Sequence, residues 1–292
     1  MVPKSSPESE IPYFCRNMHT EISTGIIVET VALPSEFLGR SVTVNFYLPT
    51  NISRPEEISL LLVNDGQDLE AMGFDKMISY LSETNQITPL LVAGIHCGDD
   101  RLNEYGMLMG PDFKDRGTKG AAYQRFLFEE LLPYLYSHYK ITSFKEKAFA
   151  GFSLGGLSAM DIVWTNPEVF SKVGVFSGSL WWRSKDKDAK DYNGDKHRMM
   201  HRQVREGTYH PGQKFFFQCG LLDETEDRNK NGVIDSIDDT IDLMRVLLQK
   251  GYKEGKDMYY LQLPKGKHDV PTWAKALPVF LKWGWRGKGE EL

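Results

Sequence analysis

The segment that most constrains the fold is KAFAGFSLGGLSAMDIVW, residues 147–164. An apolar stretch typical of a buried strand leads into GFSLG at 151–155, which matches G-x-S-x-G, and a helix-forming stretch follows. In this pattern a serine stands on a sharp strand-to-helix turn with its hydroxyl exposed, and the glycines let strand and helix approach. Because strand, turn and helix follow in the required order, the segment predicts a nucleophilic Ser153 over an ordinary glycine-rich turn.

Apolar segments alternate with helical ones along most of the chain. Alternating patterns at 24–34 and 40–49 predict an antiparallel strand pair, and the short apolar runs at 58–66 and 89–96 are typical of buried parallel strands. Further strands are expected in KVGVFSGS, KFFFQCG and MYYLQLP, and helices at 75–84, 121–139 and 272–283, the second bent or broken at Pro133. This alternation predicts an α/β protein with a mostly parallel central sheet and helices on both faces.

The length of 292 residues suits one large α/β domain or two small ones. We expect a loose N-terminal arm over residues 1–20 and a single domain over residues 21–288. The stretch 181–213 is long, charged and without a clear period, so it is a candidate lid, with a solvated loop as the alternative.

Charge and hydropathy exclude some partners. The chain carries 35 Lys and Arg against 40 Asp and Glu, a net charge of −5, so we expect neither nucleic-acid nor membrane binding. No apolar run reaches the roughly 18–20 residues that span a bilayer. Three cysteines without metal spacing form no disulfide framework, and the first residues have no apolar core of a signal peptide. A cytoplasmic location is the default expectation, with a removed signal peptide as the alternative.

A catalytic serine needs a base and an acid. In this architecture the order along the chain is Ser, acid, His, and of the seven histidines only His268 lies beyond every candidate acid, in a loop after the last predicted strand. Asp223 is the first carboxylate after the strand KFFFQCG and is the predicted acid, which orients His268. The competing carboxylates are Glu224, Glu226 and Asp227.

An oxyanion requires two N–H donors. One is expected to be the backbone N–H of Leu154, directly after the nucleophile, and the other the N–H of Gln67 in the turn VNDGQDL after a predicted central strand. The alternative for this second turn is a plain Asn-Asp-Gly turn.

The chain resembles the esterase D and enterochelin-esterase-like group of α/β-hydrolases, which includes feruloyl and acetylxylan esterases, over about residues 25 to 285. The resemblance is carried by LGRSVTVNFYLP, NDGQD, RLNEY, FLFEELLPYLYSHY, GFSLGG, FSGSLWW, Asp223 and HDVPTW. It implies an α/β-hydrolase fold with Ser153, Asp223 and His268 as catalytic triad. It also implies that Trp181 and Trp182 flank an acyl or aryl pocket. A tryptophan pair in the core is the alternative.

The sequence departs from parts of this group. Many relatives have His-Gly where this chain has Asp65-Gly66, and the residues around the serine disfavour an S-formylglutathione hydrolase. The Asp-Gly turn and the S-x-S-x-W-W stretch keep a siderophore trilactone among the candidate substrates. Arg101 is predicted to shape the pocket rim together with Glu104, with a surface ion pair as the alternative.

Residues 227–238, DRNKNGVIDSID, match the template of a calcium-binding loop. The template assigns ligand positions 1, 3, 5, 7, 9 and 12, with glycine at 6. Here these ligands are Asp227, Asn229, Asn231, the Val233 carbonyl, Asp235 and Asp238, with Gly232 at the turn. The alternative is an Asn- and Gly-rich surface turn, since a strand precedes the loop instead of a helix. We predict a structural Ca²⁺ that fixes the loop carrying Asp223, and no cofactor for catalysis.

These features together predict a serine carboxylic-ester hydrolase that acts through an acyl-enzyme. Its partner is expected to be a small-molecule or saccharide ester, with aryl, acetyl-sugar and siderophore esters all open. Two alternatives remain: an acyltransferase of the same fold, and a non-catalytic binding module on a hydrolase scaffold.

Overall fold

A computed structural model of the chain describes residues 20–23, 25–50 and 57–287, with side chains from residue 25 onward. The loose arm predicted for residues 1–20 lies outside the described residues, apart from the backbone of Thr20. Among the described residues, no helix combines the length and the apolar character needed to cross a membrane.

The described chain forms nine strands in one sheet. They are β1 Thr20–Ser23, β2 Ile26–Ser35, β3 Arg40–Pro49, β4 Ser59–Asn64, β5 Leu90–Ile95, β6 Lys147–Phe152, β7 Lys172–Phe176, β8 Lys214–Leu222 and β9 Met258–Lys267. The described α-helices are α1 Asp68–Ala71, α2 Phe74–Glu83, α3 Arg101–Glu104, α4 Gly120–Arg125, α5 Leu132–His138, α6 Leu154–Thr165, α7 Gly194–His197, α8 Met199–Glu206, α9 Asp235–Lys250 and α10 Val270–Gly284.

The strand order is β1-β2-β3-β5-β4-β6-β7-β8-β9. The first three strands and the β3–β5 pair are antiparallel, and every later pair is parallel. The carboxyl ends of β4 through β9 therefore meet at one edge of the sheet, where ligand sites of α/β proteins form. The predicted mostly parallel α/β sheet is confirmed.

Helices cover both faces of this sheet. All six residues of β4 are buried, and its side chains alternate: Leu60 and Leu62 pack in one core, and Leu61 and Val63 in the other. The first core contains residues of α4, α5, α6, α8 and α9, and the second contains residues of α2 and α10. A run of apolar residues in each central strand follows from this burial on two sides.

The helix predicted over residues 121–139 is interrupted just ahead of Pro133. A π-helical segment, Phe126–Leu131, separates α4 from α5, and Pro133 lies in the first turn of α5. A proline is tolerated there because the first N–H groups of a helix have no intrahelical acceptor.

The insertion 181–213 has two different halves. Its second half contains α8, which buries Met199, Met200, His201 and Val204 and packs against α9. This half is part of the domain body, and its helix was missed because three apolar residues among eight are too few to give a clear helical period. Residues 184–197 are mostly exposed, and a lid role for them stays a prediction.

Candidate active site

Ser153 sits at the turn between β6 and α6. Its backbone has φ 54° and ψ −119°, which is a strained conformation for a residue with a side chain. A Cβ on Gly151 would lie 2.3 Å from the Gly155 carbonyl oxygen, and one on Gly155 would lie 2.5 Å from Asp65 Oδ2. Glycine at 151 therefore lets β6 and α6 approach this closely, as the sequence pattern predicts, and glycine at 155 lets the start of α6 approach the end of β4 and its turn.

The Ser153 turn is anchored to the next strand. The Ser153 N–H donates to the Phe176 carbonyl at 2.8 Å, and the Ser179 N–H donates to the Ser153 carbonyl at 3.0 Å. The half-buried Ser153 hydroxyl lies 3.5 Å from the hydroxyl of Ser179. The backbone contacts hold the hydroxyl at the carboxyl edge of the sheet while leaving it accessible.

Asp223 follows β8 at the same edge of the sheet. Its Oδ2 accepts from the Gly220 N–H at 3.0 Å, whereas its buried Oδ1 has no hydrogen-bond partner of ordinary geometry in the described chain. Burial raises the pKa of Asp223, and the Gly220 N–H, the nearby Ser177 hydroxyl and the His268 ring oppose that rise. An unpartnered buried carboxylate oxygen is costly, so an N–H donor placed there would be bound strongly.

His268 follows β9 and lies beside Asp223. Its outer edge is exposed to solvent, yet enough protein surrounds the ring for burial to lower its pKa. The charge of Asp223 opposes this shift, and the charge of Arg101 adds to it. The ring makes no hydrogen bond within the described residues; its distance from the Ser153 hydroxyl exceeds that of a hydrogen bond.

One indole connects the regions of His268 and Ser153. The Trp273 ring meets the His268 ring edge-on, with centroids 5.3 Å apart, and stacks on Phe152 at 5.1 Å. Its Nε1 donates to Ser177 Oγ at 3.0 Å. Trp273 thus contacts both the predicted base and the residue that precedes the predicted nucleophile.

Two glycines bring the ends of β8 and β9 together. A Cβ on Gly220 would lie 2.4 Å from the carbonyl of Gly266 and 2.6 Å from Asp223 Oδ1. The register of the two strands shifts between Gly220 and Leu222. This close approach positions the loop of Asp223 against the loop of His268, and sequence reasoning did not identify it.

Both predicted oxyanion donors are unoccupied. The Leu154 N–H opens α6 and the Gln67 N–H precedes α1, and neither has an acceptor among the described residues. The Gln67 side chain accepts from the Cys97 N–H at 3.1 Å, which fixes its turn against the end of β5. A Cβ on Gly66 would lie 2.1 Å from the Gly94 carbonyl carbon, so this turn also requires glycine.

The predicted partnership of Arg101 with Glu104 is wrong. Arg101 forms a two-point ion pair with the buried Asp65, at 2.6 and 2.7 Å, and its Nη2 reaches the Phe152 carbonyl at 3.4 Å. Glu104 is buried and pairs with Arg40 in the same way, at 2.7 and 2.6 Å. Arg101 therefore links the turn of Gln67 to the turn of Ser153. Asp65 follows β4 and Arg101 follows β5, two neighbouring parallel strands. This placement at one edge of the sheet could have indicated the ion pair, and the sequence analysis missed it.

The two tryptophans after β7 differ in environment. Trp182 is fully buried, packs beside Gly117, and lies under the Arg116 guanidinium at 5.0 Å. The prediction that Trp182 flanks a substrate pocket is therefore wrong, because its ring belongs to the core. Trp181 is half-buried and lines a cavity.

The predicted calcium loop turns at Gly232, with φ 83°. Asp227 accepts from the N–H groups of Asn231 and Gly232, at 3.1 and 2.9 Å. The amides of Asn229 and Asn231 both reach Asp238 Oδ2, at 2.8 and 3.1 Å.

Asp235 departs from this convergence. It accepts from the Arg228 N–H at 2.8 Å, and the Arg228 guanidinium lies 3.5 Å away. Across the described residues, no group of three or more His, Cys, Asp or Glu side chains is arranged to hold a metal. The side chains that converge in this loop are the amides of Asn229 and Asn231, which meet the single carboxylate of Asp238.

The chain belongs to the Esterase family, whose family model matches residues 35–283. The family membership agrees with the predicted resemblance, and the α/β-hydrolase fold is confirmed by similar solved structures.

The enterobactin esterase FES from Shigella flexneri, solved in the presence of enterobactin, is 20% identical with a TM-score of 0.67, covering 87% of this chain and 57% of that one. A ferulic acid esterase is 17% identical with a TM-score of 0.62, covering 91% and 98%. An IroE-like serine hydrolase from Shewanella oneidensis is 20% identical with a TM-score of 0.62, covering 88% and 80%.

Among curated proteins, two from Bacillus subtilis strain 168 match about half of the chain. They are named Uncharacterized protein YbbA, 28% identical over 147 residues, and Uncharacterized protein YjcH, 24% identical over 143 residues. The matches cover 47% and 48% of this chain, and 57% and 56% of the relatives. The chain thus spans a little more than half the length of the curated relatives it matches.

Proposed function

We propose that the protein is a serine carboxylic-ester hydrolase with Ser153 as nucleophile, His268 as general base and Asp223 as the acid that orients His268. The observation that carries this proposal is the strained Ser153 turn at the carboxyl edge of the sheet, in a chain of the Esterase family. Such strain persists where the surrounding structure enforces it, and it is concentrated at catalytic residues.

In the proposed reaction, Ser153 Oγ attacks the ester carbonyl carbon and passes its proton to His268. The N–H groups of Leu154 and Gln67 stabilise the negative oxygen of the tetrahedral intermediate, which is usually the largest catalytic contribution. His268 then protonates the leaving alkoxide. Water, activated by the same imidazole, hydrolyses the acyl-enzyme and releases the acid.

The role of Asp223 is supported by its unpartnered Oδ1, which would accept a hydrogen bond from the His268 ring once a substrate draws the site together. Catalytic hydrogen bonds are often long in unliganded enzymes, so their absence does not exclude the pair. The competitors are engaged elsewhere. Glu224 accepts from the Ser236 N–H, Glu226 is exposed and pairs with Lys187, and Asp227 accepts from its own loop.

The substrate is proposed to be a small-molecule ester, with aryl, acetyl-sugar and siderophore esters as candidates. The similar structures include proteins named enterobactin esterase and ferulic acid esterase, whose named substrates both contain an aromatic ring system. The partly exposed Trp181 is compatible with an aryl group, because an aromatic face favours stacking.

A fluorophosphonate probe tests this proposal directly. We expect covalent labelling of Ser153, identified by mass spectrometry of the modified peptide, with parallel loss of p-nitrophenyl acetate hydrolysis. Labelling that is absent in a folded preparation, or that falls on another serine, would favour the non-catalytic binding module.

The pH dependence of kcat/KM should report His268. Its pKa is lowered by burial, so the acid limb of the profile should lie below the ordinary value of about 6.5. Arg101→Gln removes a positive charge that favours the neutral ring, so the pKa should rise and the limb should move to higher pH. Arg101→Lys keeps the charge and should leave the limb near its wild-type position. A wild-type limb above 6.5, or one unmoved by Arg101→Gln, contradicts the assignment.

We further propose that residues 227–238 bind a structural Ca²⁺ through the six oxygen ligands given above. The turn at Gly232 and the convergence of Asn229 and Asn231 on Asp238 support a loop of this shape. Asp235 would have to exchange Arg228 for the cation. Because Asp227 lies four residues beyond Asp223, a bound cation would stabilise the loop of the catalytic acid.

Removing calcium should lower thermal stability. If Ca²⁺ binds only the folded state, EGTA should lower Tm by on the order of 5 °C, and excess Ca²⁺ should restore it. Asp227→Asn should weaken this response, whereas Asp188→Asn, an exposed change outside the loop, should retain it. An unchanged Tm together with no calcium by elemental analysis contradicts the site.

A further inference from the structure

A cavity of about 370 Å³ lies at the carboxyl edge of the sheet beside the candidate active site. Its walls come from the loop around Phe113, the segment after β7 and the segment after β8. Six of its lining residues are Lys or Arg and four are Asp or Glu. Two carboxylates outside the lining, Asp112 and Asp242, also pair with lining arginines. A preference for anions therefore depends on the cations that have no carboxylate partner.

Two of these cations have no internal counter-ion. Arg116 pairs with Asp112, Arg198 and Arg228 both pair with Asp239, and Lys187 pairs with Glu226. Arg183 and Lys114, by contrast, form no ion pair with any described residue.

The lack of a partner is most marked at Arg183. Its Nε is buried and has no hydrogen-bond acceptor within the described chain. A buried guanidinium nitrogen without an acceptor is unfavourable, so an anionic ligand placed there would supply the missing interaction.

Aromatic rings support these cations. The Arg183 guanidinium lies 5.3 Å from the centre of the Phe113 ring and 5.8 Å from that of Trp181. The Lys114 ammonium lies 5.5 Å from the same Phe113 ring. Flat surfaces next to fixed cations favour a planar ligand that stacks and carries negative charge at its edge.

Tyr192 also lines the cavity. Burial raises the pKa of its hydroxyl and the charge of Asp239 adds to the rise, whereas Arg183, Arg198 and Arg228 oppose it. The Arg183 guanidinium is thus close enough to Tyr192 to act on its hydroxyl.

The cavity is within reach of an ester bound at Ser153. Trp181 is two residues beyond Ser179, whose hydroxyl lies 3.5 Å from Ser153 Oγ, and the Cα atoms of Ser179 and Trp181 are at most about 7 Å apart. On the other side, the lining residue Glu224 directly follows Asp223. The cavity wall thus includes residues one or two positions away from the segments that hold the Ser153 hydroxyl and the Asp223 carboxylate.

We propose that this cavity binds a planar, anionic part of the ester substrate, recognised by Arg183 and Lys114 and stacked against Trp181 and Phe113. The inference rests on the proposed esterase function, since it gives that site a preference for esters bearing an aromatic carboxylate or a similar anion.

Binding can be measured without turnover. Ser153→Ala protein should bind 4-acetoxybenzoate at least about tenfold more tightly than 4-acetoxybenzamide in calorimetry, because a charge-assisted hydrogen bond contributes that much or more. In the same Ser153→Ala background, Arg183→Gln should bring the ratio of the two Kd values close to one. Lys114→Gln, a change at an exposed residue, should reduce this ratio in part. Added salt should weaken the preference. Arg125→Gln, on α4 away from the cavity, should change neither ligand.

Turnover then identifies which side of the ester enters the cavity. If the alcohol side enters, the wild type should have a higher kcat/KM for 4-acetoxybenzoate than for 4-acetoxybenzamide. If the acyl side enters, it should have a higher kcat/KM for mono(4-nitrophenyl) terephthalate than for 4-nitrophenyl 4-carbamoylbenzoate. Equal binding of anion and amide by the Ser153→Ala protein in both ester pairs, or a preference that survives Arg183→Gln and Lys114→Gln, overturns the proposal. Failure of the wild type to hydrolyse any of the four esters counts against the esterase function instead, because the binding measurement is independent of it.

Discussion

Ser153→Ala is expected to lower kcat for p-nitrophenyl acetate by on the order of 10⁴-fold or more, with the fold unchanged. The reason is that the variant has no hydroxyl to form the acyl-enzyme, and only the oxyanion donors and binding remain. The small side chain fits the strained turn, since alanine has the same Cβ as serine. Circular dichroism and Tm should therefore match those of the wild type.

Ser158→Ala is the matched control on the same helix. The Ser158 hydroxyl is buried and has no hydrogen-bond partner in the described chain, so its removal should cost neither activity nor stability. If Ser153→Ala retains wild-type turnover in a preparation free of contaminating esterase, Ser153 is not the nucleophile.

Asp223→Asn should lower kcat by a factor of about 10⁴, the size seen when the acid of a serine-protease triad becomes an amide. The amide no longer fixes the productive tautomer of His268 and no longer stabilises the imidazolium that forms on proton transfer. Since the Asp223 charge opposes the downward shift of the His268 pKa, the acid limb of any residual activity should move to lower pH.

Glu224→Gln distinguishes the two neighbouring carboxyl groups. Glu224 accepts from the Ser236 N–H, and an amide oxygen can keep that contact, so kcat should remain within about twofold of the wild type. A large loss in Glu224→Gln together with a small one in Asp223→Asn would transfer the role of the acid to Glu224.

The sequence predicted the strands and the nucleophile turn well, because each depends on residues that are close together along the chain. The buried strand β4 and the Ser153 turn are recognisable from apolar runs and glycine spacing within ten residues. The helix α8 was missed because its buried side chains are two Met, one His and one Val among polar and charged residues, a weak pattern. Tertiary packing against α9 stabilises the helix nevertheless.

The finer features of the site depend on contacts between distant segments. The pairing of Asp65 with Arg101 is set by two loops that meet at the sheet edge, and RLNEY alone suggested the nearer Glu104. The burial of Trp182 depends on Gly117 and Arg116, from a segment more than sixty residues earlier. The spacing of residues along one sequence does not show which distant segments come into contact, so these contacts could not be predicted.

The cooperation of Ser153 with His268 is the central claim, and a double-mutant cycle on kcat measures it directly. If the two act as one proton-transfer unit, His268→Ala should cost on the order of 10⁴-fold or more, and adding it to Ser153→Ala should slow the reaction no further. A double variant slower by the product of the two single losses, or a His268→Ala enzyme with wild-type turnover, would contradict the account.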